Sequence, residues 1–159
     1  MNNASVSDKM VVVFGASGFL GSHVADALSG AGYQVRLFDH ISSPYQRIDQ
    51  EMIVGDIMDI DQVIEATRGA HAVYNFAAIA DIDEAHNKPV ATATINVLGN
   101  MHVLEAARIA GANRFVFASS VYVYSESGSF YRASKQAAER FTETYHDRYG
   151  LDYTILRYG

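Results

Sequence analysis

The chain has 159 residues, a net charge of −6 and 49 % apolar residues. This length suits a single domain with a substantial core, and the apolar content excludes an intrinsically disordered chain. The acidic balance, without any basic cluster, argues against nucleic acid as the main partner. The absence of cysteine excludes disulfides and thiolate metal sites but says little about compartment.

No apolar run is long enough to span a bilayer, and the first nine residues, MNNASVSDK, lack the apolar core of a signal peptide. We therefore expect a flexible N-terminus over residues 1–9 and one domain over residues 10–159. We also expect no membrane partner and a soluble, cytoplasmic protein.

Apolar runs alternate with helical patterns along the chain. The predicted strands cover residues 10–14, 33–38, 52–54, 72–76, 114–118 and 153–157, and the predicted helices cover residues 19–28, 59–68, 90–110 and 129–149. Such alternation predicts an α/β fold of the Rossmann type, a doubly wound parallel sheet with helices on both faces in three layers. Ligands should then collect at the carboxyl ends of the strands.

A glycine motif follows the first predicted strand. Gly15, Gly18 and Gly21 are three residues apart, and Asp39 ends the next strand 18 residues after Gly21. In a dinucleotide site the first glycine permits a tight turn, the second lets the backbone approach a pyrophosphate, and the third allows close helix packing. The helix N-terminus attracts the phosphates and the acid accepts hydrogen bonds from a ribose. The order strand, glycines, helix, strand and acid predicts a nucleotide-binding site.

A second motif places Tyr131 and Lys135 four residues apart on a predicted helix, after a segment that ends in Ser119 and Ser120. Residues at this spacing share one helix face. An ammonium and a helix N-terminus beside a phenol should lower its pKa toward neutrality, where it can act as an acid or base. Taken alone, the pair fits an ordinary surface helix better. The glycine motif, however, favours a catalytic role for Tyr131 and Lys135.

Several motifs together resemble extended short-chain dehydrogenases/reductases, and within them the NAD-dependent epimerase/dehydratase family that acts on nucleotide sugars. The resemblance covers almost the whole chain after residue 10. It rests on GASGFLG at 15–21, GDI at 55–57, NFAA at 75–78, INVLGN at 95–100, FASSVYVY at 117–124, YRASK at 131–135 and ILRYG at 155–159.

The resemblance implies NAD as cofactor. Asp39 would bind the adenosine ribose and disfavour the 2′-phosphate of NADP, and Asn96 would support the site from the long helix. Lys135 would hold the nicotinamide ribose and lower the pKa of the catalytic Tyr131, with Ser120 as the catalytic serine. The remaining cofactor-binding positions would be Gly15, Ser17, Gly18, Phe19, Leu20, Gly21, Asp56, Ile57, Ala77 and Ala78.

This chain departs from the family pattern in ways that bear on its reaction. Val121 and Tyr122 stand where sugar dehydratases carry acids, which disfavours dehydration, and only eleven residues separate Ser120 from Tyr131. Family members also continue beyond the equivalent of Gly159 with a smaller domain that binds the nucleotide sugar. We therefore expect the cofactor-binding part of an epimerase, one that binds NAD without turnover by itself. A sugar reductase or dehydrogenase and a non-catalytic dinucleotide-binding protein stay open as alternatives.

Two expectations concern partners and metals. In the family, the long helix and the catalytic helix pair with their copies, and apolar residues on both helices favour a homodimer here: Val103, Ile109, Phe141 and Tyr145. The six histidines are scattered over different elements without a partner at metal-ligand spacing, so we expect no metal site.

Overall fold

The computed structural model describes residues 5–159, which fold around a six-stranded sheet. Every neighbouring pair of strands is parallel, in the order β3-β2-β1-β4-β5-β6. The order reverses between β1 and β4, which makes their carboxyl ends the switch point of the sheet. The strands are β1 (Met10–Phe14), β2 (Gln34–Asp39), β3 (Gln50–Val54), β4 (Ala72–Asn75), β5 (Arg114–Ser120) and β6 (Tyr153–Tyr158).

Six α-helices connect these strands within the described residues: α1 (Phe19–Gly30), α2 (Ile60–Thr67), α3 (Ile82–Asn87), α4 (Pro89–Ala93), α5 (Asn100–Ile109) and α6 (Ser129–Tyr149). None of them is long and apolar enough to cross a bilayer. The N-terminal prediction covers residues 1–9, of which 1–4 lie outside the described part, and Val6–Asp8 form a 3-10 turn.

The alternation of side chains along the strands divides the core into two clusters. Val11 and Val13 of β1 pack with Ala25 of α1 on one face of the sheet. Val12 and Phe14 point the other way and belong to a larger cluster that includes side chains of α2, α5 and α6. The central strand β1 is therefore apolar and buried on both faces, with helices packed against each face, and the three-layer Rossmann-type fold is confirmed.

The long helix predicted over residues 90–110 is not one regular α-helix. Helix α4 ends at Ala93, Thr94–Gly99 form a π-helical turn, and α5 then continues in the same direction. The wider turn carries Asn96, whose amide is bonded to the loop after β4 and to α6. π-Turns of this kind occur at functional sites, and no hydrophobic period reveals them.

Most of the apolar residues that favoured a homodimer pack inside this chain. Val103 is fully buried, while Phe141 and Tyr145 pack against the larger core cluster. Ile109 is the one of the four that is exposed, at 51 %. Because three of these four residues pack in the core, they give little support to a dimer interface. The dimer stays a prediction.

A very close approach fixes the start of α1 against the end of β1. A Cβ atom at Gly21 would lie 2.2 Å from the carbonyl oxygen of Gly15, whereas a Cβ at Gly18 would meet nothing nearer than 3.4 Å. No side chain fits between Gly21 and this backbone atom. At Gly18 the same addition would make only an ordinary van der Waals contact.

We therefore expect Gly21→Ala to lower the free energy of unfolding by roughly 2–3 kcal/mol, because the backbone must shift to admit the methyl group. Gly18→Ala, three residues earlier in the same loop, is the matched control and should cost less than about 1 kcal/mol. Urea denaturation measures both values. Equal losses in the two variants would contradict the close-packing role of Gly21.

Candidate functional site

A cleft of about 780 Å³ lies at the carboxyl ends of β1, β2, β3 and β4. This volume is in the usual range for small-molecule sites, and its position is the switch point of the sheet. Eight residues expected from the sequence line it: Gly15, Ser17, Gly18, Asp39, Asp56, Ile57, Ala77 and Ala78.

The glycine turn forms one wall of the cleft. Gly15 has a φ of +73° and donates its N–H to the carbonyl of Phe38 at 2.9 Å. A Cβ there would collide with the backbone of Ala77, so only glycine fits. Phe19 and Leu20 occupy the first turn of α1 with exposed side chains. The backbone amides of a first turn lack intrahelical partners, so this turn fits a pyrophosphate.

Asp39 ends β2 inside the cleft and is 8 % exposed. One carboxylate oxygen accepts the N–H of Ser17 at 2.9 Å, and the other accepts the N–H of His40 at 2.7 Å. The Nδ1 atom of His40 also lies 2.8 Å from the second oxygen. The carboxylate therefore joins the glycine loop to β2 while keeping lone pairs that can accept ribose hydroxyls.

The loop after β3 forms the opposite wall. Asp56 is exposed and accepts the N–H of Met58 at 2.8 Å, while Ile57 is buried. Ten further residues line the cleft and were not expected to bind the cofactor, although Gly55, Phe76 and Ile95 lie in the motifs GDI, NFAA and INVLGN. The ten residues are Phe38, His40, Ile41, Val54, Gly55, Phe76, Ile79, Ala80, Glu84 and Ile95.

Asn96 does not line the cleft, although it was expected among the cofactor-binding residues. It is 2 % exposed, and its amide oxygen accepts the N–H of Ile79 at 2.7 Å. Its amide nitrogen donates to the carbonyl of Ile79 and to the hydroxyl of Ser134. Because these bonds occupy the side chain, Asn96 holds the cleft loop against α6, as a supporting residue.

Ser120, Tyr131 and Lys135 are buried together beside the cleft and do not line it. Ser120 is the last residue of β5 and Tyr131 is the third residue of α6. The Lys135 ammonium donates a 2.7 Å hydrogen bond to the Ala118 carbonyl and lies 5.7 Å from the centre of the Tyr131 ring. The glycine motif and the Tyr131–Lys135 motif therefore lie next to each other at the carboxyl edge of the sheet.

The expected lowering of the Tyr131 pKa is wrong for this structure. Burial raises the pKa of the phenol, and a hydrogen bond from the Ser120 hydroxyl offsets this only in part. Burial also lowers the pKa of Lys135 to about 8, with Glu139 acting in the opposite direction. The sequence shows that the pair shares a helix face, but it does not show how little water reaches the pair.

Among residues 5–159, no group of three or more His, Asp and Glu side chains is placed to hold a metal ion. His86 lies nearest to the second motif, with Nδ1 3.3 Å from the hydroxyl of Ser129. The acidic residues beside it begin α3, where Asp81 caps the helix by accepting the N–H of Glu84. Their arrangement is that of a solvated helix start.

The sequence model of the NAD dependent epimerase/dehydratase family matches residues 11–159. The chain belongs to this family. It is 32 % identical to a putative UDP-glucose 4-epimerase of Methanocaldococcus jannaschii over 94 % of this chain and 55 % of that protein. It is 30 % identical to the UDP-glucose 4-epimerase of Rhizobium meliloti over 93 % and 50 %. The chain therefore spans about half the length of the curated relatives it matches.

Solved structures agree with this membership. The UDP-glucose 4-epimerase of Brucella ovis in complex with NAD superposes with a TM-score of 0.88 at 31 % identity, covering 94 % of this chain and 51 % of that one. The Thermotoga maritima UDP-glucose 4-epimerase with UDP-glucose gives 0.87 at 27 % identity, covering 94 % and 55 %. The family is NAD-dependent, in agreement with the cofactor expected from the glycine loop and Asp39.

The buried ammonium of Lys135 should make stability depend on pH. Burial lowers the pKa of Lys135 from 10.5 to about 8, so the unfolded chain binds more protons than the folded chain between these two pH values. Stability should therefore rise with pH across this window, by roughly 2–3 kcal/mol relative to Lys135→Met. Denaturant titrations of both proteins from pH 8 to 10.5 test this, since other groups cancel in the difference. If the stability difference between the two proteins did not change with pH, the lowered pKa of Lys135 in the folded chain would be contradicted.

Proposed function

We propose that this chain is the NAD-binding and catalytic part of a nucleotide-sugar epimerase. The observation that carries the proposal is the shared edge of the sheet, where the glycine cleft lies next to the buried Ser120, Tyr131 and Lys135. Family membership supports it, and the named activities of the relatives suggest UDP-sugars as substrates. We also propose that the protein forms a homodimer.

The residues of the cleft fit a dinucleotide. The adenosine ribose would bind at Asp39, with Asp56 and Ile57 beside the adenine. The pyrophosphate would lie on the first turn of α1, next to Gly15 and Gly18 of the cleft wall. The nicotinamide end would then extend past Ala77 toward the side chains of β5 and α6.

The three buried side chains suit acid–base chemistry on a sugar hydroxyl. Bound NAD would accept a hydride from the sugar carbon and return it. Tyr131 would take the hydroxyl proton and give it back, while the Ser120 hydroxyl donates to the developing carbonyl. Lys135 would hold the nicotinamide ribose. Return of the hydride to the other face of the sugar would give the epimer.

A reductase would use the same side chains, so the products distinguish the two reactions. Epimerisation regenerates NAD in each turnover, whereas a sugar reductase consumes NADH. Dehydration is disfavoured because Val121 and Tyr122 supply no acid beside Ser120.

Cofactor choice is the first test. The carboxylate of Asp39 should repel a 2′-phosphate and accept ribose hydroxyls, so NAD should bind about tenfold or more tightly than NADP. Asp39→Ala should narrow this ratio. Asp61→Ala, which removes an exposed carboxylate from α2 outside the cleft, should leave the ratio unchanged. Isothermal titration calorimetry measures all three. Tighter binding of NADP to the unaltered chain would contradict the role of Asp39.

Turnover tests the catalytic assignment. Residues 1–159 alone should bind NAD without measurable conversion of UDP-glucose. The assay is therefore repeated with Gly159 joined to the remaining half of the Rhizobium meliloti epimerase. In that protein, Tyr131→Phe removes the titrating oxygen and should lower kcat by about 10²–10⁴ while NAD affinity persists. Phe141→Tyr, two turns or more along α6, is the control that adds a phenol elsewhere. Near-normal activity of Tyr131→Phe would contradict the mechanism.

A further inference from the structure

A buried carboxylate, paired with an arginine that reaches the surface, lies one helical turn beyond Lys135. Glu139 on α6 is 7 % exposed and accepts two hydrogen bonds from the guanidinium of Arg157 on β6, at 2.9 and 2.7 Å. The Arg157 guanidinium also lies 5.0 Å from the centre of the Tyr124 ring. This bidentate pair joins the catalytic helix to the last strand of the sheet.

The ion pair is one of several contacts between α6 and consecutive residues at the end of β5. The Ala118 carbonyl accepts a hydrogen bond from Lys135, and the Ser119 hydroxyl donates to Glu139. The end of β5 is thus fixed, residue by residue, against the face of α6 that carries the catalytic groups.

Burying the Glu139 carboxylate costs solvation free energy, which its bonds to Arg157 must offset, so the pair is weak evidence for a purely stabilising role. The place of Glu139 suggests another role. Burial alone would raise the pKa of Glu139, but hydrogen bonds from Arg157 and Ser119 outweigh it and hold the pKa below its usual range. The carboxylate therefore stays ionised four residues from the Lys135 ammonium.

The surroundings of Lys135 leave it dependent on this carboxylate. Its ammonium contacts the Ala118 carbonyl and lies 5.0 Å from the centre of the Phe117 ring and 5.7 Å from that of Tyr131. Glu139 follows Lys135 by one helical turn and is bonded to the next residue of β5, and its charge raises the pKa of Lys135 against the effect of burial.

We propose that Glu139, kept ionised by Arg157, is a positioning residue that keeps the Lys135 ammonium charged and directed at the end of β5. The proposal rests on the proposed function in one respect, namely that Lys135 serves the cofactor and Tyr131. As a consequence, Arg157 on β6 influences the charge of Lys135 on α6 indirectly, through Glu139.

The test is a direct titration of the lysine side chains by NMR. Lys9, Lys88 and Lys135 are the only lysines of the chain, so ¹⁵N-lysine labelling gives three Nζ signals, two of them internal references. Glu139→Gln keeps the size of the side chain and removes its charge, and should lower the Lys135 midpoint by about one pH unit. Glu143→Gln, which removes a carboxylate paired with Arg140 on the same helix, should leave the midpoint in place.

An unchanged Lys135 midpoint in Glu139→Gln would overturn the proposal and leave the ion pair with a structural role only. If that variant does not fold, Glu139→Asp takes its place. The shorter acid keeps the charge but loses the bidentate geometry, so it should lower the melting temperature and move the midpoint by well under one unit. A full-unit fall in Glu139→Asp would also overturn the proposal. Failure of the chain to bind NAD would instead contradict the proposed function without affecting this titration.

Discussion

The close approach of Gly21 to the carbonyl of Gly15 is the contact on which the cleft depends. It brings the first turn of α1 directly against the end of β1, next to Gly15 and Gly18 of the cleft wall. Gly15 is also bonded to Phe38 of β2 and packed against Ala77 after β4. Three strand ends are therefore locked together by backbone contacts that any side chain at these glycines would break.

The side chain of Asp39 adds to these backbone contacts. Its carboxylate accepts the amide of Ser17 in the glycine loop and that of His40 at its own strand end. The carboxylate that we propose to select the cofactor ribose is thus also a structural link between β2 and the loop. Binding and local folding are coupled at this residue, and its loss should affect both.

The other half of the site depends on buried polar contacts between β5 and α6. Lys135 and Glu139 are bonded to successive residues of β5, and Arg157 brings in β6. Charged groups at such depth persist only where each has a partner. This arrangement fixes the distance between Ser120 and Tyr131, and it shields both from water.

The sequence predicted the β1–α1–β2 unit and the six strands, because apolar runs, glycine spacing and helix stops are local signals. It did not predict the π-turn at Asn96, since the wide turn serves hydrogen bonds to Ile79 and Ser134 that are distant along the chain. The pKa of Tyr131 was predicted in the wrong direction, because burial depends on packing that spacing does not show. Glu139 was missed because its partner Arg157 lies on another element.

The measurement that tests the account most directly is hydrogen–deuterium exchange of the chain with and without NAD. If the cleft is the cofactor site, NAD should slow exchange at residues 15–21, 39–41, 55–57 and 77–80, which lie at the carboxyl edge of the sheet. Exchange at residues 68–71 and 111–114, at the opposite edge, should not change. Absence of protection in the glycine loop, or protection confined to the opposite edge, would contradict the account.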